Sequence, residues 1–163
     1  KFTTGDVSGR NQQEADEVNN ATVDKAELIT AGQMSTNPMT TLHFLGGNIA
    51  DKDDVDWWIL PDMGAYPVGA TLTVVCSSAR AGSGVGGFEV TVYNDAKGVD
   101  MLQTEVEVAT KDILWSDAMT SMPSKASPVL KANARPTVRI KATSVGNGAS
   151  SGHYLCGVHV TVP

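Results

Sequence analysis

The sequence has few basic residues and no long apolar segment. Its 163 residues include 12 lysines and arginines against 18 aspartates and glutamates, which gives a formal net charge of −6. Because binding to nucleic-acid phosphates requires clustered Lys and Arg side chains, this balance argues against a DNA or RNA partner. The longest apolar stretches have the length of a strand, which excludes a transmembrane helix. No signal peptide is recognisable in the polar N-terminus, so we expect a mature or trimmed chain.

Cysteine is also scarce, since the chain contains only Cys76 and Cys156. Two thiols so far apart do not supply the closely spaced ligands of a zinc site, which excludes zinc–thiolate chemistry. Two interpretations are left. The cysteines are either a pair of buried thiols or a disulfide that closes a long loop and fits an oxidising compartment.

The usual signatures of catalysis are missing. The histidines are His43, His153 and His159, and no two have the i, i+2 spacing that sets two ligands side by side on a strand. No G-x-S-x-G nucleophile elbow occurs. The segment GSGVGG has the letters of a dinucleotide motif, but a strand pattern follows it where a helix is required. These absences favour a non-enzymatic protein, with a stand-alone enzyme of unknown chemistry as an alternative.

The abundant residues favour β-structure. Gly, Thr, Ser and Val are common, and about seven short segments alternate apolar and polar residues between turn signals such as NDAKG. The segments are 40–46, 56–61, 70–78, 87–95, 102–110, 135–144 and 152–162. They predict an all-β fold, a jelly-roll β-sandwich of about 7–9 antiparallel strands.

The rest of the chain completes this domain organisation. We expect residues 1–13 to be a flexible lead and residues 14–163 to form a single domain. Thr22 is placed to cap a short helical turn that carries Ala26 and Leu28. Gly32 is placed to stop that turn.

Several motifs occur in a characteristic order. They are EVNNATVDKAELI, DDVDWWIL, GATLTVV, FEVTVYNDAKG, PTVRIKATS and GHYLCGVHV. This order resembles the bacterial pre-peptidase C-terminal domain family, which includes the collagen-binding domains of clostridial collagenases. The resemblance covers residues 14–162. It implies a non-catalytic accessory or binding module that is secreted, periplasmic or attached to the cell envelope, for example as a lipoprotein. It also implies an extracellular protein or matrix surface as the ligand, or a secreted partner that the module assists.

Some members of that family bind calcium where an acidic N-terminal segment meets an Asp-x-Asp loop, and calcium prefers oxygen ligands. The resemblance implies a ligand set of Glu17, Asn19, Asp54 and Asp56, with Asp51 and Asp53 adding charge nearby. Ala15 stands where the calcium-binding members have a further acid. The alternative is that the aspartates only hold a tight turn by accepting backbone N–H bonds.

The three tryptophans suggest separate roles. Trp58 is predicted to be a core residue. Trp57 and Trp115 have two interpretations, either packing against neighbouring segments or forming an exposed platform on which a sugar or a peptide stacks. The second interpretation makes a carbohydrate-binding module with a polysaccharide ligand the alternative function. The sequence does not indicate the oligomeric state.

Overall fold

The regular secondary structure of the described residues is almost entirely β-strand. The computed structural model describes residues 11–13, 20–29, 42–49, 51, 53–60, 66–77, 87–106, 125–144, 152–161 and 163. Within these residues there are ten strands: β1 Asn11–Gln13, β2 Glu27–Leu28, β3 Leu42–Ile49, β4 Val55–Ile59, β5 Thr71–Ser77, β6 Gly87–Tyr93, β7 Met101–Val106, β8 Lys125–Ala126, β9 Thr137–Ser144 and β10 Gly152–Thr161. None of the described helices is long and apolar enough to cross a membrane.

The strands form two sheets of five. Sheet A has the order β1-β3-β10-β5-β8, and sheet B has the order β2-β4-β9-β6-β7. Each of the seven predicted segments overlaps a described strand, which confirms the all-β class. Two pairings are parallel, β1 with β3 and β2 with β4. The sequence predicts about 7–9 strands, all antiparallel, whereas the described residues form ten strands with two parallel pairings at the sheet edges. The jelly-roll topology stays a prediction.

Both sheets contribute alternate side chains to one apolar core. This alternation follows from the two-residue period of a strand. The core includes Trp58, Leu72, Val74, Val90, Val92, Val138, Ile140, Tyr154, Val158 and Val160. The prediction that Trp58 is a core residue is confirmed, because its side chain is completely buried.

A disulfide joins two neighbouring strands of sheet A. Cys76 of β5 and Cys156 of β10 face each other directly in the antiparallel pairing, and their sulfur atoms are bonded. Both side chains lie in the core. The bond closes a loop across a sequence separation of 80 residues. In the chain-entropy description a loop of this size stabilises the fold by about 4 kcal/mol.

The N-terminal part differs from the prediction. The helical turn is a 3₁₀ helix limited to Val23–Lys25, and Thr22 makes no side-chain capping bond. Leu28 belongs to strand β2 rather than to the turn, because its backbone pairs with the edge of β4. Asn11–Gln13, at the end of the expected flexible lead, forms strand β1. Gly32 lies outside the described residues.

Candidate binding surface

The acidic turn before β4 is organised by its own aspartates. Oδ1 of Asp51 accepts a hydrogen bond from the backbone N–H of Asp53 at 2.8 Å, and Oδ1 of Asp54 accepts one from Val55 at 2.9 Å. The backbone N–H of Asp54 also donates to the carbonyl of Asp51 at 3.2 Å. These are the bonds expected where aspartates hold a tight turn.

Asp56 has a different environment, because its side chain is completely buried. The adjacent residue Trp57 donates its backbone N–H to the carbonyl of Asn20 at 3.0 Å. Asn20 is itself buried, and neither polar atom of its side-chain amide has a hydrogen-bond partner among the described residues. The sequence motif contains Asn20, but nothing in the pattern indicated that its amide is buried beside β4.

The described aspartates do not form a calcium site by themselves. Within the described ranges no three His, Cys, Asp or Glu side chains are grouped closely enough to hold a metal ion. The predicted ligands Glu17 and Asn19 lie outside those ranges. The calcium set therefore stays a prediction, and it depends on those two residues joining Asp54 and Asp56.

Trp57 is partly buried on the outer face of sheet B. Its ring centroid lies 5.3 Å from that of Tyr93, and Cζ of Arg139 lies 5.9 Å from the Trp57 centroid. A Cβ atom built on Gly98 would come within 2.8 Å of the Trp57 ring. The ring therefore packs between the sheet and the turn that follows β6. Trp115, the other predicted platform, lies outside the described residues.

The carboxylate of Asp95 organises that turn. It accepts backbone N–H bonds from Lys97 at 2.6 Å, from Val99 at 3.1 Å and from Asp100 at 2.5 Å. Burial raises the pKa of Asp95, but the backbone donors, Asp100 first, outweigh burial and hold the pKa below its usual value. Gly98 has a φ of 64°, a left-handed conformation that favours glycine.

Three loops meet at this end of the two sheets. We name them together the loop end, and they comprise residues 66–70, 94–101 and 127–136. Asn94 connects two of them, because its Oδ1 accepts from Lys131 N–H and its carbonyl accepts from Arg135 N–H, both at 2.9 Å. The backbone N–H of Leu130 donates to the carbonyl of Ala70 at 2.7 Å, and this bond connects loop 66–70 to loop 127–136.

The loop end also carries most of the exposed apolar side chains. Five large apolar side chains are exposed within the described residues, and four of them are here: Val68 at 72%, Val99 at 79%, Met101 at 59% and Val129 at 58%. The fifth is Leu28, on β2. Isolated exposed apolar residues are ordinary on a protein surface, but their concentration on connected loops is typical of a protein-binding site.

The comparisons with known proteins give a fold likeness without a sequence match. No family model and no curated protein sequence matches the chain. A crystal structure of PliG from Aeromonas hydrophila, a periplasmic lysozyme inhibitor of g-type lysozyme, is similar with a TM-score of 0.52 and 8% identity, over 93% of this chain and 99% of that one. PliG from Salmonella Typhimurium has a TM-score of 0.44 and 11% identity, over 76% of this chain and 94% of that one. The chain therefore shares its fold with the Aeromonas protein.

Proposed function

We propose that this domain is a non-catalytic module of an exported bacterial protein and that it binds an extracellular protein through the loop end. The observation that carries the proposal is the concentration of four of the five exposed large apolar side chains on three hydrogen-bonded loops. Loops that are ordered before binding lose less conformational entropy when a partner docks. An apolar contact surface on such loops is therefore suited to protein recognition.

Two further observations support this role. The Aeromonas protein that shares the fold is a periplasmic inhibitor of g-type lysozyme, which makes a g-type lysozyme the first partner to test. The disulfide between Cys76 and Cys156 fits an oxidising location such as the periplasm or the cell exterior. The resemblance to pre-peptidase C-terminal domains predicts the same general role for an exported binding module.

The test is binding and inhibition of a purified g-type lysozyme by the 163-residue chain. We expect the chain to slow lysis of peptidoglycan, and we expect Val99→Asp and Met101→Asp each to weaken binding about tenfold or more, because each puts a charge into an apolar contact. A c-type lysozyme serves as the comparison enzyme.

The matched control is Leu28→Asp. Leu28 is also exposed, but it lies on β2, at the opposite edge of sheet B from Met101 of β7, four strand spacings or roughly 19 Å away. The Leu28→Asp variant should bind the g-type lysozyme as tightly as the unmodified chain does. Equal losses for Leu28→Asp and Met101→Asp would rule out the loop end as the binding surface. An absence of both binding and inhibition would rule out g-type lysozyme as the partner.

A further inference from the structure

The charged side chains of the loop end indicate what kind of partner surface it fits. The loop end carries the cations Lys97, Lys131 and Arg135 and the carboxylates Asp95 and Asp100, so its described residues have a net charge of three minus two, or +1. The whole chain has a formal net charge of −6. The loop end is therefore a locally basic region of an acidic protein.

Both carboxylates are used inside the loop end. Asp95 accepts the three backbone N–H bonds of its own turn. Asp100 pairs with Nζ of Lys131 at 2.5 Å. The pair of Asp100 and Lys131 is therefore close to neutral at a distance. Asp95 keeps its negative charge, because neutral N–H donors do not cancel it, and the net charge of +1 comes from Lys97 and Arg135 against Asp95.

Two cations are left facing outward. Lys97 and Arg135 are both exposed, and neither has a carboxylate partner among the described residues. Lys97 lies two residues before the exposed Val99, and the backbone N–H of Arg135 binds the carbonyl of Asn94 at the base of the same turn. The two positive charges therefore belong to the same connected loops as the apolar side chains.

We propose that the loop end recognises a protein surface that is both apolar and acidic. Val99 and Met101 make the apolar contacts, and Lys97 and Arg135 pair with carboxylates of the partner by charge-assisted hydrogen bonds. The inference rests on the proposed function for the location of the surface, and it adds the chemistry of the partner. Such pairs at the rim of an interface mainly set specificity, association rate and salt dependence.

The test uses the ¹⁵N-labelled 163-residue chain and two synthetic peptides of equal length and equal leucine content, one with glutamates and one with lysines. Since the chain as a whole is acidic, overall charge favours the lysine peptide. We expect the opposite at the loop end: the glutamate peptide shifts the amide resonances of residues 66–70, 94–101 and 127–136, and the lysine peptide leaves them unchanged. The affinity should fall at about 0.5 M salt, where screening shortens the range of the interaction to a few ångströms.

Charge-neutralising variants measure how much each of the two cations contributes to binding of the glutamate peptide. Lys97→Gln and Arg135→Gln should each weaken binding of the glutamate peptide by about 3–10-fold, the range expected for one partly screened ion pair. The matched control is Lys141→Gln, which lowers the net charge by the same amount on β9, outside the loop end. It should change the affinity by less than about twofold.

The inference is overturned if the glutamate peptide shifts no loop-end amide, or if the lysine peptide shifts the same amides equally. Its failure is distinguishable from failure of the proposed function. Peptide binding without lysozyme binding overturns the lysozyme partner and leaves the charge preference standing. Lysozyme binding that depends on Val99 but is unchanged by Lys97→Gln and Arg135→Gln overturns the charge preference alone.

Discussion

Nε1 of Trp58 donates a hydrogen bond to the hydroxyl of Tyr154 at 2.8 Å, deep between the two sheets. Trp58 belongs to β4 of sheet B, and Tyr154 belongs to β10 of sheet A. The bond joins residues that are 96 positions apart in the chain. The Tyr154 ring also fills the space above Gly47 of β3, where an added Cβ would lie 2.3 Å from the hydroxyl oxygen. This polar contact therefore links the two sheets across the apolar core.

Tyr154→Phe should destabilise the fold by about 1–3 kcal/mol, because it leaves the buried indole N–H of Trp58 without this acceptor. The measurement is urea unfolding at neutral pH. The matched control is Tyr93→Phe, on the outer face of sheet B, where the ring packs on Trp57 and the described contacts include no hydroxyl bond. An equal loss for the two variants would show that the bond between the sheets contributes nothing specific.

Two-residue periodicity explains why the core could be predicted from the sequence. Trp58, Val90 and Val138 lie in strands that are long enough to show the alternation of apolar and polar residues. That alternation predicts that their side chains are buried. Strands β1, β2 and β8 are only two or three residues long. They are held by backbone pairing at sheet edges, so their side chains carry no detectable period.

The loop end could not be predicted in the same way. NDAKG indicates a turn, but the bonds that Asn94 accepts from the N–H groups of Lys131 and Arg135 join distant parts of the chain without any local pattern. Val99 is apolar, and only its position on the folded turn shows that it is exposed rather than buried. Contacts between distant parts of the chain therefore determine where the candidate site forms. The local alternation of apolar and polar residues determines which side chains form the core.

Gly98→Ala should destabilise the turn after β6 by about 1–3 kcal/mol, since alanine adopts a positive φ poorly and its methyl group would overlap the Trp57 ring. The measurement combines thermal unfolding with tryptophan fluorescence. Trp57→Leu in the Gly98→Ala background should recover part of the loss, because a smaller side chain relieves the overlap. An additive double variant would show that the Trp57 contact is not the cause.

Reduction of the bond between Cys76 and Cys156 should lower the free energy of unfolding by about 2–4 kcal/mol, because the unfolded chain regains the freedom that the closed loop removes. Urea unfolding with and without reductant measures the loss, and mass spectrometry without reductant checks that the two thiols are oxidised. The control is the double variant Cys76→Ala with Cys156→Ala, whose stability should not respond to reductant. Two free thiols in the untreated protein would contradict the prediction.

Calcium distinguishes the two interpretations of the acidic turn. The calcium interpretation predicts that millimolar calcium raises the thermal midpoint relative to chelator, because a ligand that binds only the folded state stabilises it. Asp54→Asn should abolish that increase, while Asp24→Asn, an exposed aspartate on the 3₁₀ helix, should retain it. The turn interpretation predicts no response to calcium, since the bonds that Asp51 and Asp54 accept from backbone N–H groups need no metal ion.

The stability supplied by Asp95 should depend on pH in one direction. Burial alone raises its pKa, but hydrogen bonds from the N–H groups of Asp100, Lys97 and Val99 give a net pKa below the ordinary aspartate value. A lowered folded-state pKa means that the ionised carboxylate stabilises the fold fully above the unfolded-state pKa, and that this stabilisation is lost as the pH falls through the folded-state pKa. Asp95→Asn should therefore lower the urea midpoint at neutral pH, and its difference from the unmodified chain should shrink as the solution is acidified. A difference that stays constant from neutral to acidic pH would show that the charge of Asp95 does not hold the turn.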